Sequence, residues 1–216
     1  MNSRKLIACA SITLFATIVF VGSIAIAEPA KDAKAGAQPE MKLPPGWTEA
    51  DMKACADAAT PGKMHEVLAK HAGTWKGTST MTMGPGGESS KTDVSVTATP
   101  IMDGRYLKVE WSGEMAGMGP FTGFGLYGFD NVTQKFVGTW IDSMSTGIMS
   151  ATGELSADGK SITWTYNFNC PITKSAMTMR ETDTLTTDTT KKIEMIGPDP
   201  KTGKEYKMMS VELKKQ

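Results

Sequence analysis

From Gly73 onward, apolar or aromatic residues alternate with Thr, Ser and charged residues in short runs, which Gly, Asp or Pro interrupts. A period of two places successive side chains on opposite faces of a strand, so this texture predicts an all-β domain. Strands are expected near 74–83, 89–99, 105–115, 121–129, 135–142, 146–156, 161–169, 176–187, 191–196 and 205–214. The intervening Gly84-Pro85-Gly86-Gly87, Asp103-Gly104, Asp130-Asn131, Asp158-Gly159 and Asp199-Pro200-Lys201-Thr202-Gly203 suit positive φ or a fixed bend,. Connections this short join antiparallel neighbours, which predicts an up-and-down meander of about ten strands. Closing it into a barrel removes the exposed edges, and a barrel that wide has room for an interior cavity. A two-sheet sandwich is the alternative.

Upstream of the strands the period changes. Thr48-Glu49-Ala50-Asp51 has the spacing of a helix cap, followed by Met52, Cys55 and Ala59 on one face,. A second short helix is expected from Pro61 to Lys70, with Met64, Val67 and Leu68 at helical spacing,. Residues 28–46 combine Pro, Ala, Gly and Lys with few large apolar side chains and read as a flexible linker,. The first five residues, Met1-Asn2-Ser3-Arg4-Lys5, carry two bases, and no charge follows from Leu6 to Ala27, a run ending Ala25-Ile26-Ala27 before Glu28-Pro29. This is the pattern of a signal peptide cleaved near Ala27, which predicts an exported protein, periplasmic or secreted. An uncleaved anchor and a lipoprotein modified at Cys9 are the alternatives. The expected organisation is a signal peptide at 1–27, the linker at 28–46, a helical lead-in at 47–72 and the barrel at 73–216.

Cleavage would take Arg4 and Lys5 from the 23 bases and none of the 23 acids, leaving a slightly acidic mature chain. Neither nucleic acid nor stable membrane insertion is expected of such a chain. A single core suits this length. Cys55 and Cys170 remain after cleavage, and export permits a disulfide between them,. Two separate thiols are the alternative.

His71-Ala72-Gly73-Thr74-Trp75-Lys76-Gly77 places a Gly-x-Trp at the start of the first strand, which resembles the opening of lipocalins and other calycins. With Thr80–Gly87, Asp103-Gly104-Arg105-Tyr106-Leu107, Gly125–Asp130 and Gly138–Ser143, the chain resembles the exported bacterial family of uncharacterised proteins called DUF1579 across roughly residues 62 to 214,. The resemblance implies a calycin-like β-barrel preceded by one or two short helices, and it carries over no catalytic residue. A more distant similarity is to the haem-binding nitrobindins.

A nitrobindin-like haem site needs a histidine from a late strand, whereas His65 and His71 precede the barrel and read as surface or packing residues,. The two His and two Cys lack zinc-ligand spacing, and methionine pairs such as Met81/Met83 and Met177/Met179 are spread too widely for a Cu(I) site,. No cofactor or metal is expected. Ser143, Ser145 and Thr146 have no base nearby, so no catalytic set emerges,.

Strand parity nominates the interior. Arg105 aligns with Leu107, Val109, Trp111 and Met115, Asp142 with Phe136, Trp140 and Met144, and Glu181 and Asp183 with Met177, Met179 and Leu185,. One base and three acids among apolar neighbours predict that Arg105 pairs with an interior carboxylate, because an unpaired buried charge is costly. The leading expectation is a barrel that binds a small apolar or amphipathic molecule, with Trp75, Trp111, Trp140 and Trp164 as walls and Arg105, Asp142 and Glu181 meeting its polar end. The alternatives are an enzyme using that polar group for acid/base chemistry and a structural or interaction module with a filled barrel.

Overall fold

The computed structural model describes residues 43–216; the expected signal peptide and residues 28–42 of the expected linker lie outside them. Helices α1 (Glu49–Ala59) and α2 (Lys63–Ala69) lead into ten strands. These are β1 (Gly73–Thr82), β2 (Ser89–Ile101), β3 (Tyr106–Met115), β4 (Gly119–Asp130) and β5 (Lys135–Asp142), then β6 (Met149–Leu155), β7 (Ser161–Asn169), β8 (Ala176–Thr187), β9 (Thr190–Pro198) and β10 (Glu205–Lys215). Every strand pairs antiparallel with its sequence neighbours, and β1 closes on β10 from Trp75↔Lys215 to Met81↔Met209. The expected barrel therefore holds, and the sandwich is excluded.

Period-two alternation carries through to burial. In β7, Ile162, Trp164 and Tyr166 are buried while the residues between them are less so. Two apolar clusters result, one around Leu107, Tyr127, Phe136, Ile162, Trp164 and Tyr166, the other around Trp75, Val94, Val96, Ile193, Val211 and Leu213. Glycine makes room for the first: the Tyr127 ring lies across Gly125 and Gly138, where an added Cβ would come within 2.5 Å of it.

In an up-and-down barrel the turns alternate between two ends. The β2–β3, β4–β5, β6–β7 and β8–β9 turns share the end at which β1 begins, and α2 plugs that end. Leu68 and His65 are buried there, with His65 Nδ1 accepting from the Gly62 N–H at 3.0 Å and its ring edge-on to Phe129. Helix α1 buries none of its residues. Its last carbonyls, which a helix cannot satisfy internally, are taken up by two barrel turns. Asn131 Nδ2 donates to Asp57, Ala58 and Thr60 carbonyls, and Arg105 Nε donates to Ala59 O at 3.1 Å.

That placement corrects two expectations. Arg105 does not enter the lumen. Met102, Asp103 and Gly104 all adopt positive φ, at 51°, 55° and 81°, so the parity of β3 does not extend back to it. Its guanidinium instead lies 3.4 Å from the exposed Asp103 carboxylate. The Cys55–Cys170 disulfide is also absent: Cys55 is exposed on α1, Cys170 is buried, and both are free. α1 sits at the plugged end, whereas Cys170 follows seven strands later at the opposite one.

Candidate functional site

Between the plug and the far end lies a cavity of about 240 Å³. Its base is formed by Leu68 and His71, just after α2, with Asp183 near the end of β8 and Lys191 at the start of β9. Higher up it is walled by Trp111, Tyr127, Trp140, Trp164 and Tyr166, and towards the open end by Met81, Met115, Phe121, Met144, Met195 and Met209. Unbranched thioethers there give an adaptable apolar wall. Met83, Met118, Ile148 and Ile172 are exposed on the turns around the mouth.

The polar chemistry is concentrated at the base. Asp183 Oδ2 receives both Lys191 Nζ at 2.8 Å and His71 Nδ1 at 3.2 Å. Lys191 is itself buried, and its ammonium lies 5.6 Å from the Trp75 ring centroid. Burial pushes the Asp183 carboxyl up, but Lys191 and His71 outweigh it and hold the group below the usual carboxylate range. Asp183 Oδ1 has no partner among the described residues. An unpaired buried acceptor costs about 1–3 kcal/mol, more when charged, so the base keeps an unmet demand for a donor.

Two residues earlier on the same face, Glu181 behaves oppositely. Burial, reinforced by the Asp183 charge, pushes its carboxyl up to about 8 against the pull of Lys191, with no hydrogen bond holding the ionised form. Asp183 is therefore ionised and Glu181 protonated at neutral pH. Trp164 and Met195 are its cross-strand neighbours. Tyr127 and Tyr166 share one hydroxyl–hydroxyl hydrogen bond of 2.7 Å. Burial, with Glu181 next in order, holds the Tyr127 phenol well above its usual range, and Tyr166 follows for the same reasons. Both remain neutral, and one of their two protons is free for another acceptor.

The sequence-nominated residues divide. Trp111, Trp140, Asp142, Trp164 and Glu181 line the cavity. Trp75 does not: it is 0% exposed within the second cluster, its Nε1 donating to His71 O, so it belongs to the core beside the plug. Asp142 sits towards the mouth, apart from the base, accepting from Trp140 Nε1 at 3.0 Å and from the Met144 N–H at 2.9 Å. Arg105, Asp142 and Glu181 thus do not converge, and the acid/base group expected from them does not form. The interior base is Lys191, which shares the inward face of β9 with Ile193 and Met195, so strand parity was the available signal,. His71 reaches the cavity because α2 is a plug rather than a surface helix; its position one turn beyond Leu68 was the available signal.

A family model described as protein of unknown function (DUF1579) matches residues 60–215. No curated protein matches the chain. Among solved structures, the crystal structure of Rv2717c from M. tuberculosis superposes with a TM-score of 0.55 at 11% identity, covering 73% of this chain and 99% of that one. A redesigned β-barrel is matched at a TM-score of 0.37 and 15% identity, covering 72% and 99%. The first likeness agrees with the barrel fold.

Proposed function

The chain belongs to the DUF1579 family, whose description assigns no activity, and from its lumen we propose that it is a binding protein for a small, mostly apolar molecule. The observation that carries this reading is the cavity itself: mostly apolar and aromatic along its walls, with Glu181, Asp183, Lys191 and His71 gathered at its base. Small-molecule sites commonly combine an apolar lining with a few convergent polar groups and a perturbed acid. At about 240 Å³ the cavity lies just below the usual range, which favours a ligand of modest size, shorter than a long fatty acid,. The guest lies with its apolar body against Trp111, Trp140 and Trp164 and its polar end towards Glu181. The charge-free leader that ends at Ala27 supports a site of action in the periplasm or outside the cell,.

The test is titration of the purified chain with 1-octanol, followed by quenching of the wall tryptophans. Saturable quenching is expected, and Val109→Phe, which adds a ring inside the lumen, should abolish it while the barrel stays folded by circular dichroism. Failure of octanol, octylamine and octanoate alike to bind would overturn the reading. Acid/base catalysis is the second reading, favoured by one neutral and one ionised carboxyl two residues apart in one cavity,.

A further inference from the structure

We propose that the guest is an amine, its nitrogen seated as an ammonium between Glu181 and Asp183 at the base of the lumen and facing the aromatic rings of Tyr127, Trp164 and Tyr166. This deepens the binding reading and rests on it. Glu181 and Asp183 share one face of β8 and both line the cavity, while Asp183 Oδ1 lacks a donor. The rings are gathered close by: Tyr127 and Trp164 lie 4.8 Å apart by centroid, Tyr127 and Tyr166 touch through their hydroxyls, and Trp164 pairs with Glu181 across the ladder. Aromatic faces beside a carboxylate attract a cation.

Charge balance separates this head group from others. The groups facing Glu181 are Asp183 on its own strand, Lys191 on β9, His71 before β1, and the phenols Tyr127 on β4 and Tyr166 on β7. Without a guest the Asp183–Lys191 pair balances while Glu181 keeps its proton. An incoming alkylammonium retains its own proton and displaces the one on Glu181, which passes to solvent. Two carboxylates then face two ammonium groups, and the base stays balanced. A carboxylate guest would leave an uncompensated negative charge beside Asp183, which a buried site disfavours. An alcohol fits without any proton exchange.

Isothermal titration of the purified chain with octylamine, 1-octanol and octanoate separates the cases, since the three share an eight-carbon body and differ only in the head. In buffers of different ionisation enthalpy, octylamine should release about one proton near pH 7 and almost none near pH 9.5. Its affinity should climb about tenfold for each unit that pH increases towards pH 8, and near pH 8 it should exceed that of octanol by about tenfold or more, with octanoate weakest. Glu181→Gln should remove the proton release and bring the amine down to the alcohol measured on the same variant, with circular dichroism checking that the barrel is folded. Should that variant not fold, the proton count on the unaltered chain still decides. Octanol binding with octylamine no tighter, octylamine binding without proton release near pH 7, or octanoate binding best, overturns the amine assignment alone. Binding of none of the three overturns it together with the binding reading beneath it.

Discussion

The two ends of the barrel are built from the same alternating strands, yet one is core and the other is wall. At the plugged end, Trp75 is fully buried and the charges of Asp183 and Lys191 are paired out of water. At the open end, Trp111 and Trp140 are only partly buried and line the lumen, and Asp142 is satisfied by its own strand and turn. Helix α2 makes the difference, because it and the turn that follows it supply Leu68 and His71 to one end and nothing to the other. An inward-facing side chain is thus committed to packing or left available to a guest according to its height in the barrel. The plugged end should hold the stability, and the open end should hold the binding.

The largest effects are expected at the plug. Trp75→Ala should lower unfolding free energy by about 3–5 kcal/mol in urea melts, whereas Trp140→Ala should cost roughly half of that or less and instead weaken octanol binding. Equal losses at the two tryptophans would break the comparison. Lys191→Ala should also cost about 3–5 kcal/mol, because it strands a buried Asp183 carboxylate, and the double substitution Lys191→Met with Asp183→Asn should recover most of the loss. A loss below about 1 kcal/mol would mean that water already reaches the pair.

Glu181 ranks next. Its carboxyl titrates near 4.5 in an unfolded chain and near 8 in the folded one. Between those values the folded chain holds a proton that the unfolded chain has lost, so stability falls as pH rises through the window. Glu181→Gln removes this titration. Its stability relative to the parent should therefore rise by on the order of 2–4 kcal/mol between about pH 5 and pH 8. Parallel pH profiles for the two proteins would contradict the placement of Glu181 in a poorly solvated base. The smallest effect belongs to Arg105→Ala, which removes one donor from the end of α1 and should cost about 0.5–1.5 kcal/mol without changing octanol affinity,.

Much of this was legible before the structure, and the reasons for the rest are physical. Gly and Asp turns at near-regular spacing marked all ten strands in order, because hairpin geometry is local,. Parity placed Leu107, Val109, Trp111, Glu181 and Asp183 on the inner face. It failed at Arg105, where three consecutive positive-φ residues break the two-residue period. Parity states which face a residue takes but not which end of the barrel is plugged, so Trp75 and Trp140 looked alike. Lys191 shares its inward face with Ile193 and Met195, so the base that meets the acids follows from the same period of two,. The separation of Cys55 from Cys170 was not legible, because the sequence does not state at which end of the barrel α1 docks.

The most direct test of an open, guest-holding lumen is native mass spectrometry of the chain purified from the cells that make it. The account predicts a chain beginning after Ala27 that carries one small molecule in stoichiometric amount, released on unfolding and identifiable in the extract. A bare chain that also ignores octanol, octylamine and octanoate would contradict it and leave a filled barrel whose interior serves stability alone.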